Sequence, residues 1–174
     1  MSESTISVAR KLNEVRVKKA LTVAKFGEFM GVHPSTMRSF LQTDNPSVSS
    51  VYELSERLGC SVAYLISGDD PPVAYDFMYY KGPGGKQLRP NISARVEIIL
   101  REKGLRKIDT CRAMGVSPSW WPPILKRNNP SMKTLAKIAV ALGVSPLELI
   151  KPVSTGKFGT AMMPELPKLE GVVG

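Results

Sequence analysis

The chain has 174 residues, a formal net charge of +9, two cysteines and a sequence pI near 9.7. That length holds one domain or two small ones, each near the lower limit of what folds alone. No apolar run approaches the roughly 18 residues of a membrane span, no secretory apolar segment opens the chain, and two cysteines do not make a disulfide scaffold. The charge is uneven, at +3 over residues 6–68, zero over 69–91, +7 over 92–151 and zero over the tail. Such a balance points to a polyanionic partner, for which nucleic acid is the default.

Val8, Leu12 and Val15 recur near helical spacing, with Arg10, Lys11, Arg16, Lys18 and Lys19 on the remaining faces, and define a first helix. Thr22 can cap a second over 23–30, whose buried face would be Phe26, Phe29 and Met30. Gly31 ends that helix, because it can take a left-handed conformation after the last turn. Gly31-Val32-His33 is a turn, and Pro34 suits the first position of a third helix to about Gln42 that buries Met37, Phe40 and Leu41. Asn45-Pro46-Ser47 opens a fourth helix with Val51, Leu54 and Leu58 inward, and a short fifth covers 62–66.

Asp69-Asp70-Pro71-Pro72 and Lys81-Gly82-Pro83-Gly84-Gly85-Lys86 look like linker, but the run from Tyr75 to Tyr80 holds four aromatics. A run so apolar is expected to dock on a neighbouring unit. Beyond it the pattern returns. Met30-Gly31-Val32-His33-Pro34-Ser35 reappears as Met114-Gly115-Val116-Ser117-Pro118-Ser119, and Asn45-Pro46-Ser47 as Asn129-Pro130-Ser131, both shifted by 84 positions. Leu135, Ile138, Ala139 and Leu142 form the inward face of a helix, and 146–150 a short last one. Trp120-Trp121-Pro122-Pro123 breaks the analogy, since interior prolines cost about 3 kcal/mol each in a regular helix. That helix must be shortened, kinked or restarted at Pro122. The expected organisation is a unit at 6–68, a linker at 69–91, a second unit at 92–151 and a flexible tail at 152–174. Cys60 and Cys111 have no counterparts in the opposite repeat and are expected to be reduced core thiols of a cytoplasmic protein.

Leu21-Thr22, Phe26-Gly27, Met30-Gly31-Val32, Met37, Phe40, Asn45-Pro46-Ser47 and Leu54 to Leu58-Gly59 together resemble the lambda-repressor/Cro-like helix-turn-helix family. The resemblance covers about 60 residues of each repeat. It implies an all-α fold of two tandem five-helix domains, and a repressor-like regulator of bacterial, phage or plasmid type that binds double-stranded DNA. In that family the third helix reads bases, which would make Pro34, Ser35, Arg38, Ser39 and Gln42 the groove face. Arg38 can pair bidentately with guanine, Gln42 with adenine, and Ser35 or Ser39 can bond to base or phosphate. Thr22 and Lys25 would meet the backbone, although Val23 stands where the family usually carries a glutamine. By register the second repeat offers Pro118, Ser119, Trp120, Pro123 and Lys126, with Arg106, Lys107, Arg112 and Arg127 tracking phosphates. Trp121 aligns with Met37 and should be core, while Trp120 aligns with an exposed position and would touch DNA or a protein surface.

Among alternatives, the second repeat could serve dimerisation, or the chain could be an interaction adaptor with a degenerate helix-turn-helix. No paired carboxylates, phosphate loop, metal-ligand cluster or nucleophile-base set suggests an enzyme, a cofactor or a small-molecule substrate. His33, the lone histidine, has no partner for metal or acid-base work. One chain with two unlike readers is expected to bind a composite asymmetric site as a monomer, at a spacing set by the linker.

Overall fold

The computed structural model describes residues 7–67 and 89–153, so the aromatic run 75–80, nearly all of the linker and the tail lie outside the described residues. These segments are helical, and their only extended pairing is an isolated antiparallel bridge between Ser47 and Ser131. The first segment holds α1 (Val8–Lys18), α2 (Val23–Phe29), α3 (Pro34–Thr43), α4 (Val48–Leu58) and α5 (Val62–Ser67). The second holds α6 (Ile92–Lys103), α7 (Lys107–Ala113), a 3-10 turn over Pro118–Trp120, α8 (Trp121–Arg127), α9 (Met132–Leu142) and α10 (Pro146–Leu149). Apart from α8, every helix of the second segment starts 84 positions after its counterpart in the first.

Short polar side chains start these helices. Ser7, Thr22, Ser47, Asn91, Ser131 and Ser145 each accept a backbone N–H of the first helical turn. His33 does the same for α3 with its ring, and Ser117 for the 3-10 turn. The ends of α3 and α8 are tied down alike. Asp44 and Asn128 both take left-handed backbone, which Asp and Asn tolerate best after Gly. The Asp44 carboxylate accepts from Ala9 N at 2.7 Å, and Asn128 accepts from Ser93 N at 3.2 Å while donating to Pro90 O at 2.8 Å. Each tie holds the far end of a helix against the start of the first helix of its segment.

The core follows the apolar stripes. Val8, Leu12, Phe26, Met30, Met37, Val51 and Leu54 are buried in the first segment, and Val96, Trp121, Leu135, Ile138 and Leu142 in the second. Three expectations need correction. Phe29 is half-exposed, stacking on Phe26 with the Lys19 ammonium 4.8 Å from its ring, and the buried small residue at that face is Gly27. A Cβ on Gly27 would stand 3.1 Å from Val32 O and 3.2 Å from Pro34 Cα, so this glycine is what lets α2 and α3 approach. Lys11 is not on an outer face but buried, its ammonium 4.7 Å from the Tyr64 ring and 3.4 Å from Glu14. Of the two free cysteines only Cys111 is a core thiol, since Cys60 is half-buried, although burial still pushes its thiol up to about 11.

The two segments meet through their Asn-Pro-Ser sequences. Val48 N donates to Pro130 O at 3.0 Å, and Met132 N to Pro46 O at 2.9 Å. Ser49 N donates to Asn129 Oδ1 and Lys133 N to Asn45 Oδ1, each at 2.9 Å. These four bonds fall into two pairs related by the 84-residue shift, which makes the contact reciprocal, as in an isologous dimer interface, while Asn129 Nδ2 also donates to Ser49 Oγ at 2.9 Å without a counterpart, since position 133 is Lys. α5 packs on α10 in the same junction. Arg89 adds an unmatched tie, with its guanidinium 5.1 Å from the Tyr52 ring, 3.7 Å from Glu56 and donating to Ser49 O at 3.3 Å.

Candidate nucleic-acid interface

α2 and α3 are joined by four residues, Met30 to His33, whose geometry is fixed from several sides. Gly31 sits at φ +59°, and Arg57 of α4 donates from its guanidinium to Met30 O beside it. That positive φ is what disfavours a side chain at Gly31; a Cβ there would also meet the Arg57 guanidinium, which would have to move aside. Arg57 was not singled out from sequence, and its partner is a backbone carbonyl that carries no side-chain signal. Pro34 then opens α3 with the φ it already has.

α3 brings the expected readers together. Ser35, Arg38, Ser39 and Gln42 are all exposed and spaced i, i+3, i+4 and i+7, which places them on one face opposite buried Met37. Arg38 makes no ion pair with any described residue, which leaves its fork open to an external acceptor. Ser35 Oγ lies 2.7 Å from His33 Nδ1, so the histidine shapes the start of the helix. Thr22 and Lys25, both exposed, stand at the first turn of α2, where the Thr22 hydroxyl oxygen accepts from Lys25 N at 3.3 Å.

The second segment keeps the frame and changes the surface. Chain extending from Pro118 runs as a 3-10 turn and restarts as α8 at Trp121, which puts Pro122 and Pro123 in the first turn, where a missing N–H leaves no helical bond unmade. Trp121 is buried as expected, though its Nε1 has no hydrogen-bond partner among the described residues. Trp120 is half-buried rather than exposed, 6.5 Å from the Trp121 ring, which reduces what it can offer a partner. A cleft of about 360 Å³ opens beside α8, lined by Glu97, Ile108, Cys111, Trp121, Leu125 and Lys126.

The expected phosphate-tracking cations divide into two groups. Arg106 is 2.6 Å from Asp109, which also lies 3.4 Å from Arg112, and Lys107 is 2.5 Å from Glu97. The hydrogen bond from Arg106 holds the Asp109 carboxyl below its usual range and raises the guanidinium in turn. Lys126 and Arg127 are exposed at the end of α8, with no ion pair to a described residue, and Ser119 is exposed beside Ser117. Among the described residues no cluster of His, Cys, Asp or Glu could hold a metal ion, and no helix is long and apolar enough to cross a membrane.

The chain is 34% identical over 74 residues to the uncharacterised HTH-type transcriptional regulator y4dJ of Sinorhizobium fredii, a match that covers 96% of that relative and 42% of this chain. It therefore belongs to the family of HTH-type transcriptional regulators. No family model and no solved structure matches it.

Proposed function

We propose that the chain is a sequence-specific, double-stranded-DNA-binding transcription regulator of repressor type. It carries two tandem lambda-repressor-like helix-turn-helix units, at 6–68 and 92–151, and recognises one composite site as a monomer. The observation that carries the reading is α3, which presents Ser35, Arg38, Ser39 and Gln42 on one exposed face behind the fixed Gly31 turn. A helix so held, with a free guanidinium and an amide at its tip, has the donors and acceptors that distinguish G·C from A·T in the major groove. Thr22, Lys25, Ser119, Lys126 and Arg127 supply backbone contacts on this reading.

The second unit contributes charge more than base readout, because Pro122 and Lys126 stand where the first unit has Arg38 and Gln42. Its pairing with the first through Asn45 and Asn129 supports a further role as the fixed partner in a built-in dimer. Selection of duplexes from a random pool by the full chain tests the proposal. One enriched motif, bound more weakly as salt rises, is expected; binding without sequence preference overturns it.

A further inference from the structure

The reciprocal clasp fixes the arrangement of the two reading helices, and this inference rests on the DNA-binding reading above. We infer that the chain docks on an inverted pair of unequal half-sites, at a separation set by the Asn-Pro-Ser pairing and not by the linker.

Reciprocal bonds of the kind Asn45 to Lys133 N and Asn129 to Ser49 N arise from a local two-fold axis running between Ser47 and Ser131. A translation along DNA, as a direct repeat requires, would give head-to-tail contacts with different partners on each side. The axis therefore places α3 and α8 in opposite senses. Both helices end two residues before the clasp, at Thr43 and Arg127, so both point their C-terminal ends toward the axis.

The distances are compatible with one helical turn of DNA. From Arg38, near the middle of α3, to Thr43 is about 7 Å at 1.5 Å per residue, and the following residues to Ser47 add at most about 14 Å. Two such arms reach about 42 Å, which exceeds the roughly 34 Å between successive major-groove faces. The clasp bonds the arms directly, so residues 69–88 do not enter this separation. The half-sites are unequal because α3 carries Arg38 and Gln42 where the second segment carries Pro122 and Lys126.

The test uses the full chain beside two variants. One carries a Gly/Ser insertion of about ten residues among positions 82–85, which adds roughly 17 Å of linker reach. The other is Asn45→Ala with Asn129→Ala, which removes the Asn45 bond to Lys133 N and both Asn129 bonds to Ser49. Selection and footprinting of the parent should give inverted half-sites with one strict and one tolerant arm, bound by one chain. The insertion variant should keep the same spacing. The double Asn variant should lose spacing discrimination by about tenfold, since three hydrogen bonds of about 0.5 kcal/mol each have gone. Direct repeats, a spacing that lengthens with the insertion, or two chains on a palindrome would each overturn the inference while leaving the DNA-binding reading intact. Absence of any sequence selectivity overturns that reading and the inference with it.

Discussion

α3 and α8 occupy the same frame and present different surfaces. The His33 ring caps α3 and the Ser117 hydroxyl caps the 3-10 turn that leads into α8, and each helix ends on a left-handed residue tied back to the first helix of its segment. Within that frame Met37 becomes Trp121, Arg38 becomes Pro122 and Gln42 becomes Lys126. The larger indole and the two prolines are accommodated by delaying the α-helix three residues, with the 3-10 turn filling the gap. Frame and surface are therefore separable. Fixing both ends of a short helix lets its middle change chemistry without losing its place.

Removing the buried anchor of each helix should have the largest effect. Trp121→Ala should destabilise by about 3–5 kcal/mol and Met37→Ala by about 2–5 kcal/mol, read from denaturant unfolding. Trp121→Phe should cost much less, because it keeps most of the ring and deletes an indole N–H that has no partner among the described residues. If Trp121→Ala costs under about 1 kcal/mol, the indole does not anchor α8 and the shared-frame argument breaks.

Surface differences come next. Arg38→Ala and Gln42→Ala should each cost about 1–3 kcal/mol in binding to the preferred site, with little effect on unrelated duplexes and on melting. Lys126→Ala should weaken all duplexes alike. Competition titrations against matched and scrambled duplexes measure both. Selectivity lost at Lys126 but not at Arg38 would reverse the roles assigned to the two helices.

Much of this architecture was legible because helix periodicity, caps and turn residues act locally. Thr22, Gly31, Pro34 and Ser47 announce their roles through backbone preferences that need no tertiary context. Phe29 and Lys11 were misplaced for the opposite reason. At the end of a seven-residue helix the apolar stripe of Phe26 outruns the core, so Phe29 lies over Lys19. Lys11 is buried because a non-local aromatic face, Tyr64, receives its ammonium. The face of Ser35, Arg38, Ser39 and Gln42 comes from the family resemblance, and all four are exposed in the structure, although their reading role is a proposal. The partner of Lys107 is hidden from the sequence because Glu97 sits on another helix, whereas Asp109, three positions after Arg106, is a local partner that helical spacing alone can show. The clasp was visible only as duplicated Asn-Pro-Ser, a pattern equally suited to starting a helix, and nothing local says that the two copies face each other.

The positions of Lys11 and Tyr64 are filled in the second segment by Arg95 and Glu148, so a cation on an aromatic face becomes an ion pair. Arg95 donates to Glu148 Oε2 at 3.0 Å and to Glu148 O at 2.9 Å, and Lys151 also pairs with that carboxylate. Burial raises the Glu148 carboxyl, but hydrogen bonds from Lys151 and Arg95 outweigh it and leave the group below its usual value. A carboxyl lower in the folded than the unfolded state adds stability above its unfolded value, which is lost as pH falls through the folded one. Between about pH 6 and pH 3 the parent should lose about 1 kcal/mol more than Glu148→Gln, a modest figure because the site is partly solvated. Among the described residues of the first segment the only carboxylate beside Lys11 is Glu14, a half-exposed partner on the same helix 3.4 Å away and of little weight. Equal acid sensitivity in both proteins would remove the distinction between the two sites.

The smallest effect separates cations that face outward unpaired from those already neutralised within the fold. Lys126 and Arg127 make no ion pair with a described residue, whereas Arg106 and Arg112 share Asp109 and Lys107 is held by Glu97. A cation that neutralises a phosphate releases about 0.9 counterion, so its removal lowers the slope of log affinity against log salt by nearly one. Over a fourfold change in salt that amounts to about 0.7 kcal/mol per contact. Lys126→Gln with Arg127→Gln should therefore flatten the slope by nearly two, on specific and nonspecific duplexes alike. Arg106→Gln with Arg112→Gln should flatten it less, because Asp109 already neutralises part of their charge within the fold, so they release fewer counterions on binding. Fluorescence anisotropy across a salt series gives both slopes. If the two pairs flatten it equally, the internal ion pairs open on binding, and the second segment would track the backbone along α7 as well as at the end of α8.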